Sequence, residues 1–262
     1  MGEVRDADAC LNVNLSGKTL FVTGAGRGFG ASFARAFAKA GAFAVVTDVD
    51  VPAAEEVAAD ILVEGGKAIA LECDVCDAAA VDAAVAAAVT ATGGVDFLIN
   101  NAGRHLTKYS QSFAKLTRAE IKGLFDVNVM GVINCTMACH PAMAKRGGGA
   151  IINISSIAGF PSESPYGVSK LAVRGLTTAF AHDLGGDGIR VNAIAPGLIA
   201  TDSAMADLDP ALIARFANEM QKVKRRGEVA DIVNMALFLC SPAASFVTGE
   251  TIRVSGGYPA VP

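Results

Sequence analysis

Apolar positions follow two alternating patterns along this chain. Short apolar runs alternate with longer Ala-rich stretches, in which apolar side chains recur at the spacing of one helical face. This alternation is typical of βαβ units, where each helix returns the chain to the start of the next parallel strand. The runs predict seven strands, which are Lys18–Thr23, Phe43–Asp48, Ala68–Glu72, Phe97–Asn100, Ala150–Ser155, Arg190–Ala195 and Thr251–Val254.

The stretches between the strands predict helices on both faces of one parallel sheet. The predicted helices are Phe29–Ala40, Pro52–Glu64, Ala78–Thr92, Arg118–Lys145, Tyr166–Leu184, Thr201–Lys224 and Val229–Leu239. Consecutive glycines at 147–149 end the long helix. No linker or repeat divides the chain, so we predict an α/β fold with a doubly wound parallel seven-stranded sheet. A single domain would span residues 17–262, after an N-terminal arm over residues 1–16.

Composition and charge narrow the function classes. The chain is 52% hydrophobic and 18% charged, which suits one sizeable core, and its net charge of −4 makes nucleic acid an unexpected partner. The uncharged stretch Val127–Ala144 is the best membrane candidate, but its Asn128, Asn134, His140 and Pro141 favour a buried or inter-subunit helix. We therefore expect no membrane partner.

The cysteines indicate a reducing compartment. Two of the six form the pair Cys73/Cys76 and two the pair Cys135/Cys139, but the three histidines are scattered and no zinc spacing results. We expect no metal and reduced thiols. The acidic N-terminal segment lacks the apolar core of a signal peptide, so the expected location is cytoplasmic.

A glycine-rich segment directly follows the first predicted strand and precedes a helix. Its glycines permit a tight turn and close approach of the backbone to a pyrophosphate, whose charge the helix N-terminus favours. A glycine cluster can serve any tight turn, but the strand–loop–helix context favours dinucleotide binding. The candidate residues are Gly24, Gly26, Arg27, Gly28, Phe29 and Gly30.

Asp48 ends the second predicted strand, 18 residues beyond Gly30. A carboxylate there accepts hydrogen bonds from the adenosine ribose and repels a 2′-phosphate, which favours NAD. The alternative role for Asp48 is capping of the next helix. Arg27 favours NADP, because its guanidinium could reach a 2′-phosphate. We give Asp48 more weight and predict NAD, with NADP as the alternative.

Tyr166 and Lys170 share one face at the start of a helix. Lowering the pKa of a tyrosine from about 10 to about 7 requires roughly 4 kcal/mol of preferential stabilisation of the phenolate. A nearby ammonium and the positive nicotinamide could supply it. The spacing alone is common on amphipathic helices, so the pair needs further support.

Five motifs provide that support. They occur in the order glycine loop, Asn100-Asn101-Ala102-Gly103, Asn153-Ile154-Ser155-Ser156, Tyr166-Gly167-Val168-Ser169-Lys170 and Pro196-Gly197. Together they resemble the short-chain dehydrogenase/reductase family from Leu15 to Gly257. The resemblance implies a Rossmann-type sheet, Tyr166 as general acid/base, Lys170 on the nicotinamide ribose, Ser156 on the substrate oxygen, and Asn128 beside a water linked to Lys170.

The resemblance also implies further cofactor contacts. Asp74 and Val75 would lie at the adenine, and Asn101, Ala102 and Gly103 beside the adenosine ribose. The segment that fixes the nicotinamide carboxamide would include Pro196, Gly197, Ile199 and Thr201. An ordinary polar residue in a buried helix is the alternative for Asn128.

The segment between Ser156 and Tyr166 departs from the family pattern. Only one of the neighbours Ser155 and Ser156 can face the substrate, and Gly159 aligns Ser156 with the family serine. Tyr166 follows Ser156 by 10 residues, whereas the family usually has about three more there. We expect the catalytic geometry to survive and the wall of the substrate pocket to differ.

The predicted function is NAD-dependent interconversion of a secondary alcohol and a ketone. The alternatives are an NADP-dependent reductase of 3-oxoacyl thioesters and a non-catalytic dinucleotide-binding regulator. The stretch from Thr201 to Lys224 would cover the substrate, although helix amphipathicity alone explains its apolar positions equally well. The resemblance implies a homotetramer or dimer, joined through the helices Arg118–Lys145 and Tyr166–Leu184.

Overall fold

The computed structural model describes residues 13–104, 106–199 and 210–258. Seven strands form one parallel sheet in the order β3-β2-β1-β4-β5-β6-β7. The strands are β1 Thr19–Thr23, β2 Phe43–Asp48, β3 Lys67–Glu72, β4 Phe97–Asn100, β5 Gly149–Ile154, β6 Ile189–Pro196 and β7 Thr251–Val254. The predicted doubly wound α/β fold is confirmed.

Helices connect these strands on both faces of the sheet. They are α1 Gly28–Lys39, α2 Val51–Val63, α3 Ala78–Thr92, α4 Leu106–Tyr109, α5 Arg118–Phe125, α6 Gly131–Lys145, α7 Pro165–Leu184, α8 Pro210–Arg215 and α9 Val229–Cys240. Local sequence explains several boundaries. The Asp77 side chain accepts hydrogen bonds from Ala79 and Ala80 at the start of α3, and Gly93 ends α3 with φ of 83°.

The predicted long helix is divided in the structure. Its two α-helical parts, α5 and α6, are joined by the π-helical segment Asp126–Met130. A π-helical turn inserts one residue into the helical repeat, and such turns are frequent at functional sites. The periodicity of apolar residues does not indicate this insertion, which turns the buried side chain of Asn128 toward α7.

Apolar side chains pack on both faces of the sheet. One cluster joins the sheet to α1, α2 and α9, and the other joins it to α3, α6 and α7. Leu15, which the prediction assigns to the N-terminal arm, is 3% exposed and its backbone N–H donates to Ala40. This residue therefore packs with the sheet, while residues 1–12 lie outside the described part of the chain.

The two central strands hold a buried carboxylate at their amino ends. Asp96 precedes β4 and is 2% exposed. Its oxygens accept hydrogen bonds from the Lys18 ammonium, the Arg146 guanidinium and the Thr19 backbone N–H, all at 2.9 Å. Burial opposes ionisation of Asp96, but these donors hold its pKa below the ordinary value. The cluster ties β1, β4 and the end of α6 together.

The strand order creates a cleft at the carboxyl ends of the strands. β1 lies between β2 and β4, so the connections after β1 and β4 leave toward opposite sides of the sheet. Ligands of doubly wound sheets bind outside the carboxyl ends of the strands at such a switch point.

The structure describes only part of the predicted helix from Thr201 to Lys224. Its residues 201–209 lie outside the described part, and the remainder forms α8 followed by the π-helical segment Phe216–Met220. Across residues 13–104, 106–199 and 210–258, no helix is long and apolar enough to cross a bilayer.

Candidate active site

One cleft of about 590 Å³ joins the carboxyl ends of the central strands. We divide it into two halves named after the sequence predictions: the adenosine half, formed by Asp48, Asp74, Val75 and Cys76, and the catalytic half, formed by Ser156, Tyr166, Lys170 and Pro196–Ile199. The glycine loop and Asn101–Gly103 lie between the two halves. The structure thus brings the five sequence motifs to one surface, although they are spread over most of the chain.

The glycine loop is packed against backbone. A Cβ atom on Gly30 would lie 2.2 Å from the Gly24 carbonyl oxygen and 2.7 Å from Asn101 Nδ2. On Gly24, with φ of 61°, it would lie 2.8 Å from Ala102 Cα. The Asn101 amide donates to the carbonyls of Thr23 and Gly24 at 2.9 Å. These contacts fix the turn as bare backbone that a ligand can approach. They leave no room for side chains at Gly24 and Gly30.

Asp48 faces this turn. Its Oδ2 accepts a hydrogen bond from Gly26 N at 2.9 Å and its Oδ1 accepts from Asp50 N at 3.0 Å. Each carboxylate oxygen keeps a further lone pair for a ribose hydroxyl. Asp50, not Asp48, caps α2 by accepting from Ala53 N, so the capping role weighed for Asp48 belongs to its neighbour. Arg27 is exposed in the same cleft.

Asp74 and Val75 lie on the loop after β3. Asp74 Oδ1 accepts from Cys76 N at 2.9 Å, which forms a local turn and leaves the rest of the carboxylate exposed. Asn134 on α6 donates to the Val75 carbonyl at 2.8 Å and holds the loop against the sheet. A Cβ on Gly131 would lie 2.7 Å from Val75, so this helix residue allows the close approach.

Tyr166 and Lys170 lie on the first turns of α7. Ser164 caps the helix by accepting from Gly167 N, and Pro165 occupies a first-turn position where no N–H is needed. The Lys170 ammonium lies 5.8 Å from the centroid of the Tyr166 ring and donates to the Ile154 carbonyl at 2.8 Å. One donor therefore anchors the lysine, and its other N–H groups remain for ligands.

Burial shifts both groups toward their neutral forms. It raises the pKa of Tyr166 to about 12, against which a hydrogen bond with Ser156 acts. It lowers the pKa of Lys170 to about 8. The chain by itself does not depress the pKa of the tyrosine. To act as a base near neutral pH, Tyr166 needs its phenolate to be stabilised. This stabilisation must therefore come largely from the charge of a bound ligand.

The two adjacent serines have different environments. Ser155 is 2% exposed and its hydroxyl donates to the Lys170 carbonyl at 2.9 Å. Ser156 lines the cleft, hydrogen-bonds Tyr166 and accepts from Ala158 N at 3.2 Å. Ser155 thus fastens strand β5 to α7, and the geometry favours Ser156 as the substrate-facing serine.

Asn128 connects three elements through its side chain. Its Oδ1 accepts from Arg104 N at 2.8 Å and its Nδ2 donates to Ser169 Oγ at 3.1 Å. Ser169 in turn donates to the Tyr166 carbonyl at 2.7 Å. The alternative of an ordinary buried polar residue is not favoured, because this chain of hydrogen bonds leads directly to α7, which carries Tyr166 and Lys170.

The segment after β6 closes the catalytic half. Gly197 N donates to the Val254 carbonyl at 2.9 Å, and a Cβ on Gly197 would lie 2.7 Å from Ser255 Cα. Ile199 is buried and pairs with Gly227 in a parallel bridge. Pro196, Gly197 and Ile199 all line the cleft. Thr201, predicted with them, lies outside the described residues.

Sequence reasoning misses several residues of the cleft. Among them are Val49, Cys73, Cys76, Arg104, Val127, Ile154 and Leu198. Most are neighbours of predicted residues, so a rule that adds flanking positions would find them. Arg104 directly follows Gly103, but nothing in its spacing shows that its side chain returns to the cleft.

Comparisons with known proteins agree with this geometry. A family model described as enoyl-(acyl carrier protein) reductase matches residues 24–259. The 7alpha-hydroxysteroid dehydrogenase of Escherichia coli (strain K12) is 39% identical over 250 residues, which cover 94% of this chain and 96% of the relative. Dehydrogenase/reductase SDR family member 4 of Homo sapiens is 37% identical over 249 residues, covering 94% of this chain and 88% of the relative.

A solved structure resembles the fold closely. It is a 7 alpha-hydroxysteroid dehydrogenase complexed with NADH and 7-oxo glycochenodeoxycholic acid, with a TM-score of 0.87 and 38% identity. The match covers 94% of this chain and 96% of that chain.

Proposed function

The chain belongs to the short-chain dehydrogenase/reductase family, and on this premise we propose that it is an NAD-dependent oxidoreductase interconverting a secondary alcohol and a ketone. The observation that carries the proposal is the single cleft in which the glycine loop and Asp48 adjoin Ser156, Tyr166 and Lys170. The structural relative that contains NADH and a 7-oxo bile acid supports it.

The residues present fit a dinucleotide. A Cβ on Gly28 would have no neighbour within 4 Å, so the loop leaves open space there for a pyrophosphate, and the N-terminus of α1 favours its charge. Asp48 offers carboxylate lone pairs to ribose hydroxyls and would repel a 2′-phosphate, which supports NAD. Asn101, Ala102 and Gly103 would pass the adenosine ribose, and Asp74 and Val75 would contact the adenine.

The cofactor supplies the hydride acceptor or donor when it is bound. The chain supplies the proton. In ketone reduction, Ser156 would donate a hydrogen bond to the substrate carbonyl oxygen, and the Tyr166 hydroxyl would deliver a proton to that same oxygen. In alcohol oxidation, the tyrosine oxygen accepts the hydroxyl proton instead. Because Ser156 and Tyr166 line the same cleft and Ser156 acts on the pKa of Tyr166, one substrate oxygen can contact both side chains.

Lys170 would have two roles. Its ammonium, anchored on Ile154, would bind the nicotinamide ribose hydroxyls and stabilise the phenolate of Tyr166 electrostatically. Asn128 would hold Lys170 and Tyr166 in their relative positions, because its contact with Ser169 reaches the first turn of α7. We propose Pro196, Gly197, Ile199 and Thr201 as the segment that orients the nicotinamide carboxamide.

We also propose a homo-oligomer, a tetramer or a dimer, in the cytoplasm. Apolar side chains are exposed on the helical layer formed by α5, α6 and α7: Met130 is 45% exposed, Met137 65% and Leu171 43%. Burial of these side chains against a second copy would be favourable. The five described cysteines are free thiols, which suits a reducing compartment. Light scattering at micromolar concentration tests the assembly, and a monomer mass would refute it.

The experiment that tests the function combines binding and turnover. NADH and NADPH are titrated by fluorescence, and the preferred cofactor is then assayed with a panel of ketones and secondary alcohols. The panel includes a 7α-hydroxysteroid, because a relative with 39% identity carries that activity in its name. Tighter NADH binding with turnover supports the proposal, whereas tighter NADPH binding moves the 3-oxoacyl-thioester reductase to first place.

The matched variant is Tyr166→Phe, which removes only the hydroxyl. We expect it to lower turnover by about 10²–10⁴-fold, the usual contribution of a positioned acid/base, with NADH affinity unchanged. Undiminished turnover in this variant would overturn the assignment of Tyr166 and revive the search for another proton donor.

A further inference from the structure

Arg104 is a charged cleft residue that neither the motifs nor the mechanism uses. It follows Gly103, is exposed, and lines the cleft. Its backbone N–H donates to Asn128 Oδ1 at 2.8 Å, so the main chain at this position is fixed. The side chain is fixed as well: its Nη1 donates to the hydroxyl of Tyr109, which is 4% exposed, at 3.1 Å.

The orientation of the guanidinium follows from its distances to α5. A Cβ placed on Gly123 would lie 3.5 Å from Nη2, 3.6 Å from Cζ and 4.0 Å from Nε of Arg104. Three nearly equal distances to bonded atoms mean that Gly123 faces the plane of the guanidinium and not its edge. One broad face of the guanidinium therefore faces Gly123, whose lack of a side chain leaves room for it.

The position of the charge indicates which half of the cleft it serves. Burial and the carboxylate of Asp74 raise the pKa of Cys76 to about 11, and the Arg104 guanidinium acts in the opposite direction. The guanidinium is thus close enough to act on Cys76 as well as on Lys108 of α4. Arg104 also lines the same cleft as Asp74 and Cys76 of the adenosine half. The glycine loop has its own cation in Arg27.

We propose that Arg104 is a cofactor-binding residue that forms one wall of the adenine pocket and stacks its guanidinium plane on the base. A planar guanidinium stacks on aromatic faces, and its orientation here is set before any ligand arrives. Tyr109 and Gly123 act as the supports of this wall. The inference rests on the proposed dinucleotide function and adds a binding residue to it.

The test measures affinity and not only turnover. Dissociation constants are determined for NADH, AMP and reduced nicotinamide mononucleotide with the wild type and Arg104→Ala. We expect the variant to bind NADH and AMP about fivefold to tenfold more weakly, in line with a partly desolvated cation–π contact. Affinity for the mononucleotide, which lacks adenine, should not change.

Two further variants separate stacking from charge and from folding. Arg104→Lys keeps the charge but loses the plane, so it should remain as weak as the alanine variant. Tyr109→Phe keeps the ring and removes the hydroxyl that orients the guanidinium, so it should lose about twofold to threefold in AMP affinity. Arg118→Ala is the control, because it removes an exposed arginine from the first turn of α5, outside the cleft lining.

The outcomes are distinguishable. Full recovery in Arg104→Lys would mean that charge alone matters and would overturn stacking. A loss that is larger for NADPH than for NADH would place Arg104 on a phosphate. Unchanged AMP affinity in Arg104→Ala, with a raised KM for the ketone, would assign the residue to the substrate. If the wild type binds neither NADH nor AMP, the proposed function fails; if it binds both and Arg104→Ala binds equally well, only this inference fails.

Discussion

The glycine loop of the cleft and its catalytic half are built by different means. Around the glycine loop and Asn101, backbone packs closely: a Cβ on Gly24 would meet Ala102, a Cβ on Gly30 would meet Ala25, and Asn101 donates to two carbonyls. In the catalytic half, the reacting groups are side chains on the first turns of α7, positioned by hydrogen bonds to a neighbouring strand and a π-helical segment.

Because of this difference, the two regions should tolerate different substitutions. A surface made by the main chain depends on the absence of side chains, so nearly every substitution at its glycines requires the loop to move. A surface made by side chains keeps its fold when one group changes, but its chemistry changes at once. Cofactor binding and proton transfer should therefore respond to different variants.

The largest expected effect is that of Gly30→Ala on the glycine loop. The new methyl group would meet the Gly24 carbonyl oxygen at 2.2 Å and the Ala25 Cα at 2.7 Å, so the loop must shift. Overpacking of this kind costs about 1–3 kcal/mol of folding free energy. We expect NADH binding to become undetectable up to millimolar concentration, as measured by fluorescence titration, with a lower melting temperature.

The control for that variant is Gly175→Ala on α7. A Cβ at this position would have no neighbour within 4 Å, and alanine is favoured over glycine inside a helix by about 1 kcal/mol. Its melting temperature should rise and its NADH affinity should stay unchanged. Normal NADH binding by Gly30→Ala would show that cofactor affinity does not depend on the backbone packing of the glycine loop.

A smaller effect concerns pH and the catalytic half alone. Lys170 has its pKa lowered to about 8 by burial, so it is charged below that pH and loses its proton above it. Because the charged lysine supports the phenolate and the ribose contact, ketone reduction at saturating NADH should be flat below about pH 7 and fall by up to about tenfold per unit above about pH 8. The measurement is kcat from about pH 6 to about pH 10.

Lys170→Arg sharpens this prediction, because a guanidinium stays charged throughout the same range. The variant should turn over more slowly, but its rate should no longer fall near pH 8. If wild type and variant show the same alkaline decline, a group other than Lys170 is titrating.

The smallest expected effect is that of Ser162→Gly in the shortened loop. Ser162 has φ of 56°, the one positive value among the non-glycine residues that the structure describes. Glycine adopts this conformation without the steric cost that serine incurs, about 1 kcal/mol. The variant loses the hydrogen bond from Ser162 Oγ to the Gly159 carbonyl, which offsets part of the gain.

We therefore expect a rise of up to about 1 kcal/mol in the free energy of unfolding by urea, without any change in cofactor affinity. A loss of NADH affinity in Ser162→Gly would show that the loop strain reaches across to the adenosine half and that the two halves are coupled.

Sequence patterns predict most of the fold. Strand β2 and helix α3 have their predicted bounds, because each combines an uninterrupted pattern with a clear stop: an aspartate at Asp48 and a capping pair at Asp77 and Gly93. The motifs also predict which positions meet at the cleft, since the carboxyl ends of parallel strands share one edge.

What the patterns do not predict are features set by long-range packing. The π-helical segment at Asn128 has ordinary helical composition, and its shape follows from contacts with Arg104 and Ser169 that lie far apart in sequence. The orientation of Arg104 likewise depends on Gly123 and Tyr109. No local propensity encodes such contacts.

The strand order has a consequence for how the chain is made. β1 pairs with β2 and with β4, whose first residue, Phe97, lies opposite Leu20 although 77 positions separate them. On the ribosome, one edge of β1 therefore waits until α2, β3 and α3 have been synthesised. During that interval Leu20 and Val22, fully buried in the finished protein, lack the strand that completes their layer. Non-local pairing of this kind slows folding and exposes unpaired strand edges that are prone to aggregation. The need for chaperones during synthesis should therefore be greatest before β4 emerges.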